Sequence, residues 1–189
     1  MKETKWINVI ILSRLQDKFK NNNYIFVDDQ KKLPYAFEVK SYNEKSHGKR
    51  NINKYATDLL IYEKLDENNW KPRIVIEGKI NSVTTHDAIS YSKKASSHKN
   101  VHPYLRYGIL IGNRKHYPLP GRLFRHGENF DFMISLKKYE PSEEEWNNFI
   151  NIIEKELKIS NKLEEMLYNS RSPYRKKYTS LHRQLILKE

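Results

Sequence analysis

The chain has no cysteine in 189 residues. This excludes a disulfide scaffold, a thiolate metal site and a cysteine nucleophile, and the expected compartment is the reducing cytoplasm. It also has no run of 18 apolar residues, so neither a membrane-spanning helix nor a membrane partner is expected. The first apolar stretch, Trp6 to Leu15, is interrupted by Asn8, Ser13 and Arg14 and has no small-residue cleavage site. It reads as the start of a folded domain rather than a signal peptide. Acidic residues are scarce as well: 23 Asp and Glu stand against 35 Lys and Arg, a formal net charge of +12. That balance points to a polyanionic partner, nucleic acid first, although the Lys-, Asn-, Ile- and Tyr-rich composition can also reflect the base composition of the coding DNA. What remains, 38% hydrophobic and 12% aromatic residues, is enough to build a core. The expected organisation is a core over residues 1–140, with a helical extension and basic tail over 141–189 packed on the same domain.

Apolar residues at 6, 7, 10, 11, 15 and 19 follow helical spacing, and Asn21 to Asn23 end the helix. Tyr24 to Val27 and Tyr35 to Val39 are short strand candidates, and the polar stretch from Lys40 to Lys54 reads as an exposed loop. Tyr55 to Tyr62 and Arg73 to Ile80 then read as strands joined by the turn Asp66 to Asn69, close enough to pair as a hairpin. Thr84 or Thr85 caps a helix to about Ser97, with Ala88, Ile89, Ser92 and Ala95 facing inward. Arg106 to Ile111 is apolar throughout its middle, as expected of a central strand reached by a crossover and parallel to its neighbour. Asn113 to Asn129 reads as a long loop and Phe130 to Leu136 as a strand. Ser142 with Glu145 marks a helix start, followed by the stripe Trp146, Phe149, Ile150, Ile153 and Leu157 and a break near Ser160 and Asn161. The tail from Ser170 holds six Lys or Arg against one Glu, so it carries +5 of the +12. The fold class expected is α/β, a mixed central β-sheet flanked by helices, with a helical, basic C-terminal extension.

The chemistry concentrates in Asp58, Glu77 and Lys79. Glu77 and Lys79 are two apart on a strand and therefore share a face, while Gly78 between them points the other way. Hairpin pairing can bring Asp58, at the start of the preceding strand, beside Glu77. Two carboxylates and the Gly78 carbonyl make an all-oxygen site suited to Mg²⁺ with several retained waters. An ammonium beside such a metal can orient an attacking water or help deprotonate it. Unscreened repulsion between the two carboxylates is a second reason to expect a cation there.

Asp58, then Glu77-Gly78-Lys79 on an apolar strand, then a helix and a buried strand, resembles the PD-(D/E)xK nuclease superfamily, the restriction-endonuclease-like fold. The resemblance covers roughly residues 55 to 112 by order of elements, with Thr57 in the place before Asp58 where proline gives the motif its name. It implies that Asp58 and Glu77 bind the divalent metal, Mg²⁺ with Mn²⁺ able to substitute, that Gly78 offers its carbonyl, and that Lys79 acts on the attacking water. Among such enzymes the chain is most like a type II restriction endonuclease, which implies double-stranded DNA as substrate and a homodimer. A cognate methyltransferase or a separate specificity subunit would belong to the same system. Repair nicking enzymes, junction resolvases and transposase end-cutting subunits share the core, and the glutamine-containing helix motif of its exonuclease branch is not matched, Asp87 standing four residues before Tyr91. A non-catalytic DNA-binding protein that keeps the fold is the alternative from another class.

A second Glu-x-Lys, Glu38-Val39-Lys40, lies downstream of Asp28 and Asp29, but it is followed by a polar stretch rather than a capped helix. Some relatives add an upstream glutamate to the metal cluster; Glu44 is the nearest candidate, and a solvated loop position is the plainer reading of it. His86, Tyr91 and Lys94 on the helix after the catalytic strand are placed near the cleft, His86 and Lys94 as candidate DNA contacts. The loop residues Arg114, Lys115, Arg122 and Arg125, with His116 and His126 nearby, are candidate phosphate contacts. The tail adds Arg171, Arg175, Lys176, Lys177 and Arg183, while its Leu181, Leu185, Ile186 and Leu187 hint at docking on a partner subunit.

Overall fold

The computed structural model describes residues 1–188 except Lys115, Tyr117, Ser170 and Arg175. The chain opens with helix α1 (Glu3–Trp6), a π-helical segment (Ile7–Leu12) and helix α2 (Ser13–Phe19). The apolar stripe read from the sequence is the side that packs: Trp6, Ile7, Ile11, Leu15 and Phe19 are buried and Ile10 partly so, with Leu12 buried beside them. Strand β1 (Ile25–Asp28) follows, then β2 (Lys32–Tyr42), β3 (Gly48–Ala56), β4 (Leu59–Lys64) and β5 (Trp70–Ile80). Helix α3 (Thr85–Val101) connects β5 to β6 (Arg106–Gly112). Helix α4 (Gly121–His126), β7 (Phe132–Ser135) and α5 (Glu143–Tyr168) complete the order.

The described strands form two sheets. One has five strands in the order β1-β4-β5-β6-β7, and the other is the β2-β3 ribbon. In the larger sheet β1, β4 and β5 are antiparallel neighbours, with Leu59 opposite Ile76, whereas β5, β6 and β7 are parallel. The α3 crossover thus supplies the parallel step expected between β5 and β6. Alternation divides the core. Leu59, Ile61, Ile74, Ile76 and Leu110 pack with the N-terminal helices and α5. Leu60, Val75, Tyr107, Ile109 and Ile111 pack with Ala88 and Ala95 of α3 and Leu123 of α4. The chain is therefore α/β, with a mixed sheet flanked by helices.

Both long helices begin as the sequence indicates, each with a capping box: Thr84 with Asp87 on α3, Ser142 with Glu145 on α5. Several expectations are corrected. The polar stretch 40–54 is not a loop, because β2 runs to Tyr42 and β3 starts at Gly48, although it is exposed as expected. The expected strand Tyr55 to Tyr62 is interrupted at Thr57 and Asp58, where the chain passes from the ribbon to the main sheet. Ile89 is exposed while Ala88, Ser92 and Ala95 are buried, since α3 meets the sheet on its small residues. Helix α4 occupies part of the expected 113–129 loop, and α5 continues through Ser160 and Asn161 without a break. Beyond α5 no described residue of the tail lies in a helix or strand, so the helical part of the C-terminal extension is α5 itself. Among the described residues no helix is long and apolar enough to cross a membrane.

Candidate active site

Asp58 is set by its neighbour. Thr57 is fully buried, and its N–H and hydroxyl both donate to the Lys31 carbonyl, each at 3.0 Å. A proline at 57 would forfeit the N–H bond, which gives a local reason for threonine at this position. The junction turns Asp58 toward β5, where its Oδ2 accepts the Gly78 N–H at 2.8 Å. Gly78 leaves room for Ile7, because a Cβ there would meet Ile7 Cγ1 at 2.6 Å and force that side chain to shift. The missing side chain lets the π-helical segment close on one face of β5, while Glu77 and Lys79 project from the other.

Glu77 is 1% exposed. Its Oε1 takes the Lys94 ammonium at 2.8 Å and the Tyr107 hydroxyl as a second donor. Burial pushes its carboxyl up, opposed by Lys94 and reinforced by the Asp58 charge. Lys94 also donates to the Ala56 carbonyl at 2.9 Å, so one side chain ties α3 both to Glu77 and to the end of the ribbon. Tyr107, buried beneath them, is held well above the usual phenol range by burial and by Glu77, and it acts as a donor.

Lys79 lies between two carboxylates, Glu3 Oε1 and Asp87 Oδ1, each at 3.4 Å, and over the Tyr91 ring at 5.0 Å from its centroid. Burial alone would lower its pKa. The Tyr91 hydroxyl and the two acids outweigh that effect and hold the ammonium above the usual lysine value. Glu3 is raised mainly by burial, with the Asp58 charge adding to it and Lys79 opposing. The structure therefore brings Asp58, Glu77 and Lys79 together and adds Glu3, Asp87, Tyr91, Lys94 and Tyr107.

These residues fit a hard divalent cation by their chemistry. Asp58 lies close enough to Glu3 and Glu77 to disfavour their ionisation, a repulsion that a cation relieves, and every nearby anionic donor is oxygen. Among the described residues no three His, Asp or Glu side chains gather closely enough to ligate one ion together. Two carboxylates with water completing the shell is what the residues offer.

The remaining candidates divide. His86 is exposed at the start of α3, its ring nitrogen 3.3 Å from Ser90 Oγ. Lys94 points inward to Glu77 rather than outward to solvent. Arg114 donates to the Pro118 carbonyl at 2.9 Å and Arg122 to the Val83 carbonyl at 3.1 Å. Arg114 is lowered by burial and then by the Arg122 charge, so the two cations lie near one another, with Arg122 bonded to the segment that follows β5. Arg125 is exposed on α4, and Lys176 and Lys177 are exposed in the tail. Lys115 and Arg175 lie outside the described residues. Glu44 is exposed at the ribbon tip, and it is Glu3 that approaches Lys79. Glu38 and Lys40 are on the ribbon, with Glu38 accepting from Asn51, whereas Asp28 is in the main sheet, bonded to Tyr62 and Lys31.

The sequence placed Tyr91 and Lys94 near the cleft, though not the Lys94–Glu77 ion pair, and it left Asp87, His98 and Glu3 without a role there. Asp87, Tyr91, Lys94 and His98 recur at helical spacing and line the sheet-facing side of α3, a polar stripe visible in the sequence once the helix is drawn. Glu3 carries no comparable signal, since its approach depends on how the N-terminal helix packs. No family model matches the chain, and no curated protein matches it either.

Proposed function

We propose that the chain is a metal-dependent endodeoxyribonuclease that hydrolyses DNA phosphodiester bonds, with the closest analogy in type II restriction endonucleases. The observation that carries the reading is the Asp58–Gly78 hydrogen bond. It holds the acid at the junction of β3 and β4 beside the Glu77-Gly78-Lys79 segment of β5, which is compatible with a shared metal for phosphodiester hydrolysis. Asp58, Glu77 and the Gly78 carbonyl would hold Mg²⁺ or Mn²⁺. The bound ion supplies Lewis acidity toward a phosphoryl oxygen and a more acidic water. Lys79, kept protonated by Glu3 and Asp87, serves as a donor that orients the water and stabilises charge developing on the phosphoryl group, not as its base. Arg114, Arg122 and Arg125 would contact the DNA backbone, and a two-fold homodimer would set two sites across a duplex.

One observation favours a second reading. The Lys94–Glu77 ion pair already compensates the buried carboxylate, as a non-catalytic DNA-binding protein of this fold would need. Incubating supercoiled plasmid with the protein in Mg²⁺ or Mn²⁺ separates the two. Nicking or linearisation that disappears in Glu77→Ala and Lys79→Ala, with duplex binding retained, is the expected outcome. Binding without cutting selects the non-catalytic reading. Loss in Glu38→Ala with Glu77→Ala unaffected would move the site to the ribbon. Mapping the cuts then distinguishes restriction, with fixed cuts at one motif, from structure-dependent repair or recombination.

A further inference from the structure

Beyond its base, where Leu33 joins the core, the β2-β3 ribbon projects away from the rest of the fold. Every residue from Phe37 to His47 is exposed, as are Lys49, Arg50, Ile52 and Lys54. Such a projection is costly to keep unless it meets a partner, because it orders backbone without burying side chains.

Its register gives the two faces distinct characters. Phe37 pairs with Ile52, Val39 with Arg50 and Tyr42 with Gly48, which places Phe37, Val39, Tyr42 and Ile52 on one face with Arg50 among them. A Cβ at Gly48 would touch Val39 and Tyr42, in keeping with that placement. Phe37 is 52% exposed and Ile52 49%. The other face is polar, with Glu38 opposite Asn51 and Ser41 opposite Lys49. Over residues 32–56 the chain carries Lys32, Lys40, Lys45, Lys49, Arg50 and Lys54 against Glu38 and Glu44 only. All six cations are exposed, and among the described residues none of the six forms an ion pair.

The base of the ribbon is firmly held. Tyr35 stacks on Tyr55 with ring centroids 3.8 Å apart, and both rings meet the edge of His98 on α3. His98 Nδ1 donates to the Pro34 carbonyl at 3.0 Å, and Lys94 holds the Ala56 carbonyl. Ala56 is two residues before Asp58, so the ribbon leads directly into the candidate active site.

We propose that this ribbon is an arm that lies in the major groove of duplex DNA and holds the duplex against the site formed by Asp58, Glu77 and Lys79. The proposal rests on the nuclease reading for its substrate. A two-stranded ribbon fits a groove about 12 Å wide, where apolar side chains meet thymine methyl groups and flanking cations reach the phosphates. The free portion, Phe37 to Tyr42 on one strand, spans roughly 20 Å at about 3.3 Å per residue. Charge argues against a second copy as occupant, because two such arms would bring like charges together, whereas a polyanion complements them.

The test uses the full chain and a 30-base-pair duplex with EDTA present, read by fluorescence anisotropy over a range of salt. Lys40→Gln/Lys49→Gln/Arg50→Gln is expected to bind more weakly and to shallow the salt dependence by about 2–3 in log–log slope. Phe37→Ser/Ile52→Ser is expected to weaken binding at least tenfold at every salt concentration, with the slope unchanged. Both variants keep the wild-type melting temperature, since the side chains are exposed. Wild-type affinity in both variants overturns the arm, as does failure of the wild type to bind duplex. A wild-type dimer that the apolar pair converts to a monomer also overturns it, assigning the face to a second copy. Arm-dependent binding with no cleavage in Mg²⁺ or Mn²⁺ leaves the arm in place and removes the nuclease reading. Full cleavage and binding by both arm variants does the reverse.

Discussion

Lys94 and Lys79 are both ammonium groups beside carboxylates, yet their surroundings give them different tasks. The two side chains are equally exposed, at 17%, but Lys79 has two part-exposed acids and an aromatic face. Lys94 faces a carboxylate with almost no contact with water. Removing one partner of a buried pair leaves an uncompensated charge, which typically costs about 3–5 kcal/mol, whereas removing both is much less severe. Lys94→Met should therefore lower the urea-unfolding free energy by about that amount, and Lys94→Met/Glu77→Gln should recover most of it. If Lys94→Met alone is neutral, Glu77 is already protonated in the folded state and the ion pair contributes little. The same contact bears on the proposed metal site, because an ammonium and a divalent cation would compete for one carboxylate. Mn²⁺ should accordingly raise the melting temperature of Lys94→Met by more than that of the wild type.

At the scale of elements, the ribbon and α3 meet at His98, whose protonation the surroundings oppose. Burial lowers its pKa to about 4, with the Lys94 and His102 charges adding to burial and the Pro34 carbonyl opposing it. Nδ1 must carry the proton to serve that carbonyl, so Nε2 is the basic nitrogen, and it is buried without a hydrogen-bond partner. Tyr35, Tyr55 and Tyr107 complete the surroundings as uncharged rings. Because the folded pKa lies below the unfolded value of 6.5, the full contribution of His98 to stability is present above pH 6.5. It is lost as pH falls toward 4, at no more than about 1.4 kcal/mol per pH unit. Thermal unfolding should show this decline, and His98→Gln should flatten it; an unchanged slope in the variant would assign the acid sensitivity to other groups. The attachment was less legible in the sequence than the site it supports. Glu77 and Lys79 stood out because charges interrupted an Ile-Val-Ile strand, and the capping residues Thr84 and Ser142 marked their helices. Tyr35 to Val39 of β2 was legible as a strand, but a ribbon exposed on both faces needs no clean apolar alternation, so the rest of it from Lys40 to Lys54 looked like a polar loop. Helix α4 is too short for periodicity to reveal, and Glu3 reaches Lys79 only through the packing of Ile7 over Gly78.

At the scale of the whole molecule, the cations proposed to meet DNA lie in three places: the ribbon, the segment around α4 and the tail. The sequence pointed to the second and third, because long loops and charge runs are visible without a fold. The first required the strand register. The tail can be tested apart from the others, since none of its described residues belongs to either core cluster. Removing residues 170–189 takes away six Lys or Arg and one Glu, leaving a net charge of +7, from +12 minus +5. The melting temperature should not change. If the tail follows the DNA backbone, truncation reduces the log–log salt slope of duplex binding by about 0.9 for every phosphate the tail neutralises, and its six cations set the upper bound. Affinity would then fall most at low salt and converge with that of the full chain as salt rises, because the tail's contribution is counterion release alone. Cleavage of a short, saturating duplex would be unaffected, since Asp58, Glu77 and Lys79 lie elsewhere. The tail's exposed Leu181, Leu185, Ile186 and Leu187 set the competing expectation. If they dock on a second copy, truncation shifts the sedimentation mass from dimer to monomer and weakens duplex binding equally at all salt concentrations. Salt titration and sedimentation of the same truncated chain decide between the two, because counterion release depends on salt and loss of a subunit interface does not.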